Sequence, residues 1–172
     1  MLTAPPYRNE GPRALWHVSD DPSLGRFLPR DGKVWAIDTR HLPLYWFPRD
    51  CARATFWANE DTSDGDVERW LGGDRLCRVH VIEPAWLARM CHASVYAYRM
   101  PEETFELEDR FWISAATVEA LERRALGDLL ALHADAGIEL RIAPGLLGLW
   151  DAVVSSTLDF SGIRLRNATL AS

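Results

Sequence analysis

A chain of 172 residues, 48% of them hydrophobic and eight of them Trp, can bury a full core and favours a single domain. Its formal net charge of −6 argues against general nucleic-acid binding, because phosphate contacts need a basic face. Three cysteines, Cys51, Cys77 and Cys91, form no CxxC pair and are odd in number, which fits a reducing cytoplasm better than a disulfide scaffold.

Residues 1–12 are polar and carry Pro and Gly without the apolar core of a signal peptide, so they read as a short disordered lead-in to one domain over 13–172. No apolar run approaches the roughly 18 residues of a membrane span. Residues 14–18 read as a strand, 20–24 as a turn opened by Asp and Pro, and 27–32 as a loop. Residues 34–37 are a short apolar strand. Asp38 and Thr39 cap a helical turn towards Tyr45, cut short by Pro43. Strands are expected at 53–58, 76–83, 94–100, 110–114 and 138–142.

Helices are expected at 67–71, ended by Gly72 and Gly73, and at 84–90, opened by Pro84. A third is expected over 126–136, stopped by Gly137. Trp150, Val153, Val154, Thr157 and Leu158 are spaced for one helix face. Residues 118–126 are ambiguous, with a Glu-Ala-Leu-Glu-Arg-Arg composition that favours helix. The helices do not recur regularly between strands, so the expected class is α+β rather than a doubly wound parallel sheet.

The chemistry-bearing residues cluster early. His17 lies in the apolar strand Leu15-Trp16-His17-Val18, followed by Ser19; Trp35 stands on the next strand, with Tyr45 ten residues beyond it. An imidazole, a hydroxyl and two rings can hold a flat polar ring such as nicotinamide, by stacking on its faces and hydrogen-bonding its edge. Each also has a plain structural reading: a core histidine, a turn serine, two core aromatics. Lys33 is the sole lysine among 19 basic residues. Arg40, Arg49 and Arg53 flank Tyr45, and an Arg fork suits either the protein's own carboxylates or a pyrophosphate.

Glu102, Glu103, Glu106, Glu108 and Asp109 form an acidic run whose ordinary reading is a solvated face. Glu108 and Asp109 stand apart because they immediately precede the strand with Phe111-Trp112-Ile113, where a carboxylate can be aimed into a cleft. The histidines show no HxH or HExxH spacing, so no metal is expected. There is no GxSxG, GxGxxG or P-loop pattern. A dyad of Cys51 with His17 or His41 would need tertiary proximity, since nothing local demands it.

Two resemblances attach to these residues. The segments Leu15-Trp16-His17-Val18-Ser19-Asp20-Asp21-Pro22, Val34-Trp35-Ala36-Ile37-Asp38, Arg40-His41-Leu42-Pro43, Pro48-Arg49-Asp50-Cys51 and Pro101-Glu102-Glu103-Thr104-Phe105-Glu106 resemble a family of uncharacterised bacterial proteins known only as a domain of unknown function, which implies no activity. More distantly, His17 with Ser19 is similar to the His-Gly-Ser/Thr of the ADP-ribosyltransferase fold. The stretch Gly32-Lys33-Val34-Trp35-Ala36-Ile37-Asp38 with Tyr45 is similar to that fold's Gly-Lys-Gly-Ile-Tyr-Phe-Ala-Asp strand and following Tyr. Glu108 or Asp109 resembles its late acid, and Arg78-Val79-His80-Val81-Ile82-Glu83-Pro84 is similar to one of its mid-sheet strands. Val18 departs from the family's Gly, and Trp35 from its usual Tyr.

That second resemblance implies a split mixed β-sheet with short flanking helices and NAD as substrate. Trp35 and Tyr45 would stack on nicotinamide, His17 and Ser19 would orient the ribose, Arg49 would meet the pyrophosphate, and Glu108 or Asp109 would stabilise the transition state of ADP-ribosyl transfer. Two alternatives stay open: a non-catalytic domain of the same fold that binds a small molecule or a protein, and a Cys/His hydrolase. In each case the expected setting is cytoplasmic, without nucleic acid or membrane.

Overall fold

The computed structural model describes residues 14–169, so the expected lead-in at 1–12 lies outside the described residues. Among these residues twelve strands and four α-helices follow one another as β1 (Leu15–Ser19), β2 (Arg26–Phe27), β3 (Val34–Asp38), β4 (Arg53–Trp57), α1 (Asp64–Leu71), β5 (Arg78–Ile82), α2 (Pro84–His92), β6 (Tyr96–Met100), β7 (Glu106–Glu108), β8 (Phe111–Ser114), β9 (Val118–Glu119), β10 (Glu122–Ala125), α3 (Leu129–Asp135), β11 (Ile138–Ile142), α4 (Leu147–Val154) and β12 (Asp159–Ile163). The class is α+β. The chain forms two compact units, one of residues 14–49 and 93–132, the other of 50–92 and 133–169. No helix among the described residues is long and apolar enough to cross a membrane.

The first unit is built on a six-stranded sheet in the order β10-β6-β1-β3-β8-β7, every pair antiparallel. The strand period of two places Leu15, Val34, Ala36, Tyr98 and Met100 on one face, where they pack with Phe27, Phe105 and Val118. Burying each large apolar side chain there contributes about 1.5–3 kcal/mol. Tyr98 sends its hydroxyl 2.6 Å to the carbonyl of Asp21, which ties the turn after β1 to the sheet. A two-stranded ribbon, β2 with β9, belongs to the same unit.

The second unit holds a four-stranded sheet, β11-β5-β4-β12, in which only β5 and β11 run parallel. Ala54, Phe56, Val79 and Val81 cover one face and pack against Leu71 of α1 and Val153 of α4. Ser63 caps α1 by accepting from the amide of Asp66, and Gly72 closes the helix in the left-handed conformation that its place after the last turn requires.

Several expectations are corrected. Residues 118–126 form β9 and β10 rather than a helix: Glu122 to Ala125 pair with Arg99 to Tyr96, and this tertiary ladder outweighs local helix propensity. The helix expected over 126–136 starts three residues later. Gly127 takes φ +74° and Asp128 Oδ1 accepts from the amides of Leu130 and Ala131, so the chain turns before α3 begins. The helix face drawn through Thr157 and Leu158 stops at Val154. Thr157 instead bonds Asp66 Oδ2 through its amide and hydroxyl, at 2.9 and 2.6 Å. Part of the acidic run is itself a strand, β7, exposed along its length at the sheet edge.

Candidate ligand-binding site

β1 and β3 pair at two positions only, Leu15 with Asp38 and Trp16 with Ile37, although each strand is five residues long. Past Trp16, β1 continues its ladder with β6, and β3 continues with β8. The two strands part there, and the gap is bridged by a side chain: His17 Nδ1 donates to the Trp35 carbonyl over 2.8 Å. A carbonyl can only accept, so Nδ1 carries the proton and Nε2 is left as an acceptor.

A small cleft of about 70 Å³ opens at this gap, lined by Trp16, His17 and Val18 from β1, Trp35, Ala36 and Ile37 from β3, and by Tyr45 and Phe111. Tyr45 is delivered by the 3-10 turn Leu42–Tyr45, whose entry is fixed by Asp38 accepting from the amide of His41 at 2.9 Å. Phe111 meets Trp35 edge to face, with ring centroids 5.6 Å apart. Trp35 remains 42% exposed, an unusual position for so large a ring, and so keeps a free stacking surface.

A larger cleft, of about 260 Å³, shares His17 and Trp35 with the first and adds Arg26, Arg30, Lys33 and Arg49. On this side His17 lies against Phe27, centroids 4.7 Å apart. Burial holds the His17 pKa below its ordinary 6.5; the bond to the Trp35 carbonyl opposes the shift, and the charges of Arg49 and Arg30 add to it. His17 is therefore neutral at pH 7, with a hydrogen-bond acceptor at Nε2.

Of the residues singled out in the sequence, His17, Trp35 and Tyr45 come together in the small cleft, and Arg49 joins His17 and Trp35 in the larger one. Ser19 is not with them. It is buried at the end of β1 and lines neither cleft; its hydroxyl accepts from the amide of Asp21 at 3.2 Å in a local turn. The two carboxylates separate. Glu108 is gripped by Lys33, whose Nζ lies 2.7 and 2.9 Å from the two Glu108 oxygens and 5.3 Å from the Trp35 ring centre. Asp109 is exposed in the β7–β8 turn, at φ +57°, and lies 3.6 Å from Arg110. Arg26, Arg30 and Phe111 were not singled out as site residues; Arg26 belongs to the two-residue strand β2, too short to leave a periodic signal.

Cys51 lies in the second unit, fully buried. Burial, against the opposing charge of Arg53, pushes its thiol up to about 12, so it presents no thiolate at neutral pH. Arg53 is buried in the same unit and donates to the Cys51 carbonyl at 2.9 Å. His41 is held by Asp38, Nδ1 to Oδ1 2.9 Å. Among the described residues, no three His, Cys, Asp or Glu side chains group as metal ligands.

The model of a family of unknown function, DUF6886, covers residues 16–168, and the chain belongs to that family. No curated protein and no solved structure matches it.

Proposed function

We propose that this member of a family of unknown function binds NAD or an ADP-ribose-containing ligand in the first unit. The observation that carries the reading is the parting of β1 and β3, bridged by His17 and the Trp35 carbonyl and walled by aromatic rings. A flat ring stacks on the exposed face of Trp35, and Tyr45 and Phe111 close the apolar wall. Neutral His17 supplies an acceptor for a ribose hydroxyl or a carboxamide N–H. The motif resemblance through His17, Trp35 and Tyr45 points the same way, as does the division of the strands between separate sheets.

Transfer of ADP-ribose is the chemistry this arrangement would serve. The bond between nicotinamide nitrogen and the ribose carbon breaks, its electron pair leaves with nicotinamide, and an acceptor nucleophile takes the carbon. Positive charge develops on the ribose, and a carboxylate at the cleft rim stabilises it. Glu108 is the better placed of the two acids, because Lys33 ties it to the wall of the larger cleft.

The same ion pair favours a second reading, binding without turnover. Glu108 is 53% exposed along its side chain and already neutralised by Lys33, which blunts its field on a developing cation. A melting scan with excess NAD, ADP-ribose and nicotinamide tests the binding reading. A ligand selective for the folded state adds about 2.7 kcal/mol at one hundred times its dissociation constant. An upward shift with NAD is expected, and no shift with any of the three overturns the reading. Release of nicotinamide from NAD then separates turnover from binding alone.

A further inference from the structure

The larger cleft has a charge opposite to that of the protein. The chain carries a net −6, yet four cationic side chains, Arg26, Arg30, Lys33 and Arg49, line about 260 Å³ together with His17, and no carboxylate is among the lining residues. Two of these cations are already matched. Lys33 pairs with Glu108 at 2.7 Å, and Arg49 approaches Asp20 at 3.8 Å. Among the described residues neither Arg26 nor Arg30 makes an ion pair within 4 Å, although Glu119 stands opposite Arg26 on β9. In an acidic protein, two arginines on one cleft wall without an acid between them repel each other, and a bound anion relieves that repulsion.

The backbone holds both arginines in place. Arg26 is fixed by the β2–β9 pairing with Glu119, and the amide and carbonyl of Arg30 both bond Lys33 at 3.0 Å in the turn that leads into β3. The excess charge is two, because His17 is neutral. We propose that this cleft is a subsite for a phosphate-class dianion, bound by Arg26 and Arg30: either the diphosphate diester of a dinucleotide or a terminal phosphomonoester. Guanidinium forks match phosphate oxygens two at a time, and either anion carries close to two negative charges at pH 7. The shared His17 and Trp35 then make the two clefts one site, the ring in the smaller and the phosphate in the larger. The proposal deepens the ligand reading above and rests on it only in joining the two clefts.

The test is calorimetric titration of the full chain with inorganic pyrophosphate, ribose 5-phosphate, ADP-ribose, NAD and uncharged adenosine, repeated in Arg26→Gln and Arg30→Gln. Both arginines are exposed, and the melting temperature of each variant reports that it has folded. Each variant is expected to weaken every phosphate-bearing ligand by about tenfold or more, and to leave any binding of adenosine unchanged. Tighter binding of pyrophosphate and ADP-ribose than of ribose 5-phosphate assigns the diester, and the reverse order assigns the monoester. Arginine-dependent binding of pyrophosphate without any binding of NAD or ADP-ribose keeps the subsite and removes the dinucleotide reading. NAD binding that both variants leave intact, or no binding of any phosphate compound, overturns the subsite.

Discussion

The His17 imidazole donates from Nδ1 to the backbone carbonyl of Trp35, 2.8 Å away, across the point where β1 and β3 cease to pair. A side chain thus replaces the ladder bond that closed strands would make. Removing it leaves the carbonyl to water and costs only a modest share of stability. His17→Ala is expected to lower stability by about 1 kcal/mol, measured by denaturant titration, and to abolish the thermal shift with NAD. A loss of several kcal/mol with the ligand shift intact would make His17 a packing residue.

Trp35 leaves part of its ring exposed, so the ring would matter more to a stacked ligand than to the core. Trp35→Ala forfeits the edge-to-face contact with Phe111, about 1 kcal/mol, and is expected to lose NAD binding. Trp35→Phe keeps a π face and is expected to retain it. Ligand titrations of the two variants, compared with their melting temperatures, check the distinction. Equal binding by both would remove stacking from the account.

Three of the residues that line the small cleft were legible in the sequence because they sit on short, strongly patterned segments. The apolar pattern around His17, the run Val34-Trp35-Ala36-Ile37 and the Pro-limited turn to Tyr45 each have a local cause, and β1, β3 and the 3-10 turn fall there. The parting of β1 from β3 left no such trace, because it depends on which strand each chooses for its other edge. Glu108 could be separated from Asp109 only by its tertiary partner Lys33, 75 positions earlier. Glu122 to Ala125 read as helix by composition and are held as a strand by β6, a contact that no local window contains.

Acid should destabilise the protein before its carboxylates titrate. His80 and His133 are both buried, with His80 Nδ1 3.0 Å from His133 Nε2. Burial drives the His80 pKa well below 6.5; His133, Arg78 and Arg53 deepen the shift. His17 is shifted in the same direction. A group with a lowered folded-state pKa lets the unfolded chain bind the proton first. Its stabilisation is therefore complete above about pH 6.5 and is lost as the pH falls towards the folded-state value. Denaturant midpoints are expected to be alike at pH 8 and 7 and to fall at pH 5, and a flat profile would contradict a neutral buried His80.

Thiol chemistry should be irrelevant to the site. Cys51 is buried with its pKa raised to about 12, whereas Cys91 is exposed. A chromogenic disulfide reagent is expected to modify Cys91 rapidly in the native protein and Cys51 only on unfolding. Ligand binding should survive the modification. Rapid native labelling of Cys51 that abolishes binding would restore the hydrolase reading.

Gly162, in the second unit, lines neither cleft and offers a control. A Cβ there would lie 2.7 Å from Leu165 Cδ1 and 2.7 and 2.9 Å from two ring carbons of Trp150. Trp150 meets Phe160 edge to face, centroids 5.4 Å apart, so moving its ring breaks a packed contact and Gly162→Ala is expected to cost about 1–3 kcal/mol in a denaturant titration. A neutral substitution would show that this packing relaxes freely.

The most direct test of NAD binding in the cleft between β1 and β3 is calorimetric titration of NAD into the full chain and into Trp35→Ala. Saturable binding by the full chain, lost in the variant while its fold is retained, is the predicted result. Absence of binding by the full chain, or equal binding by both, would contradict the account.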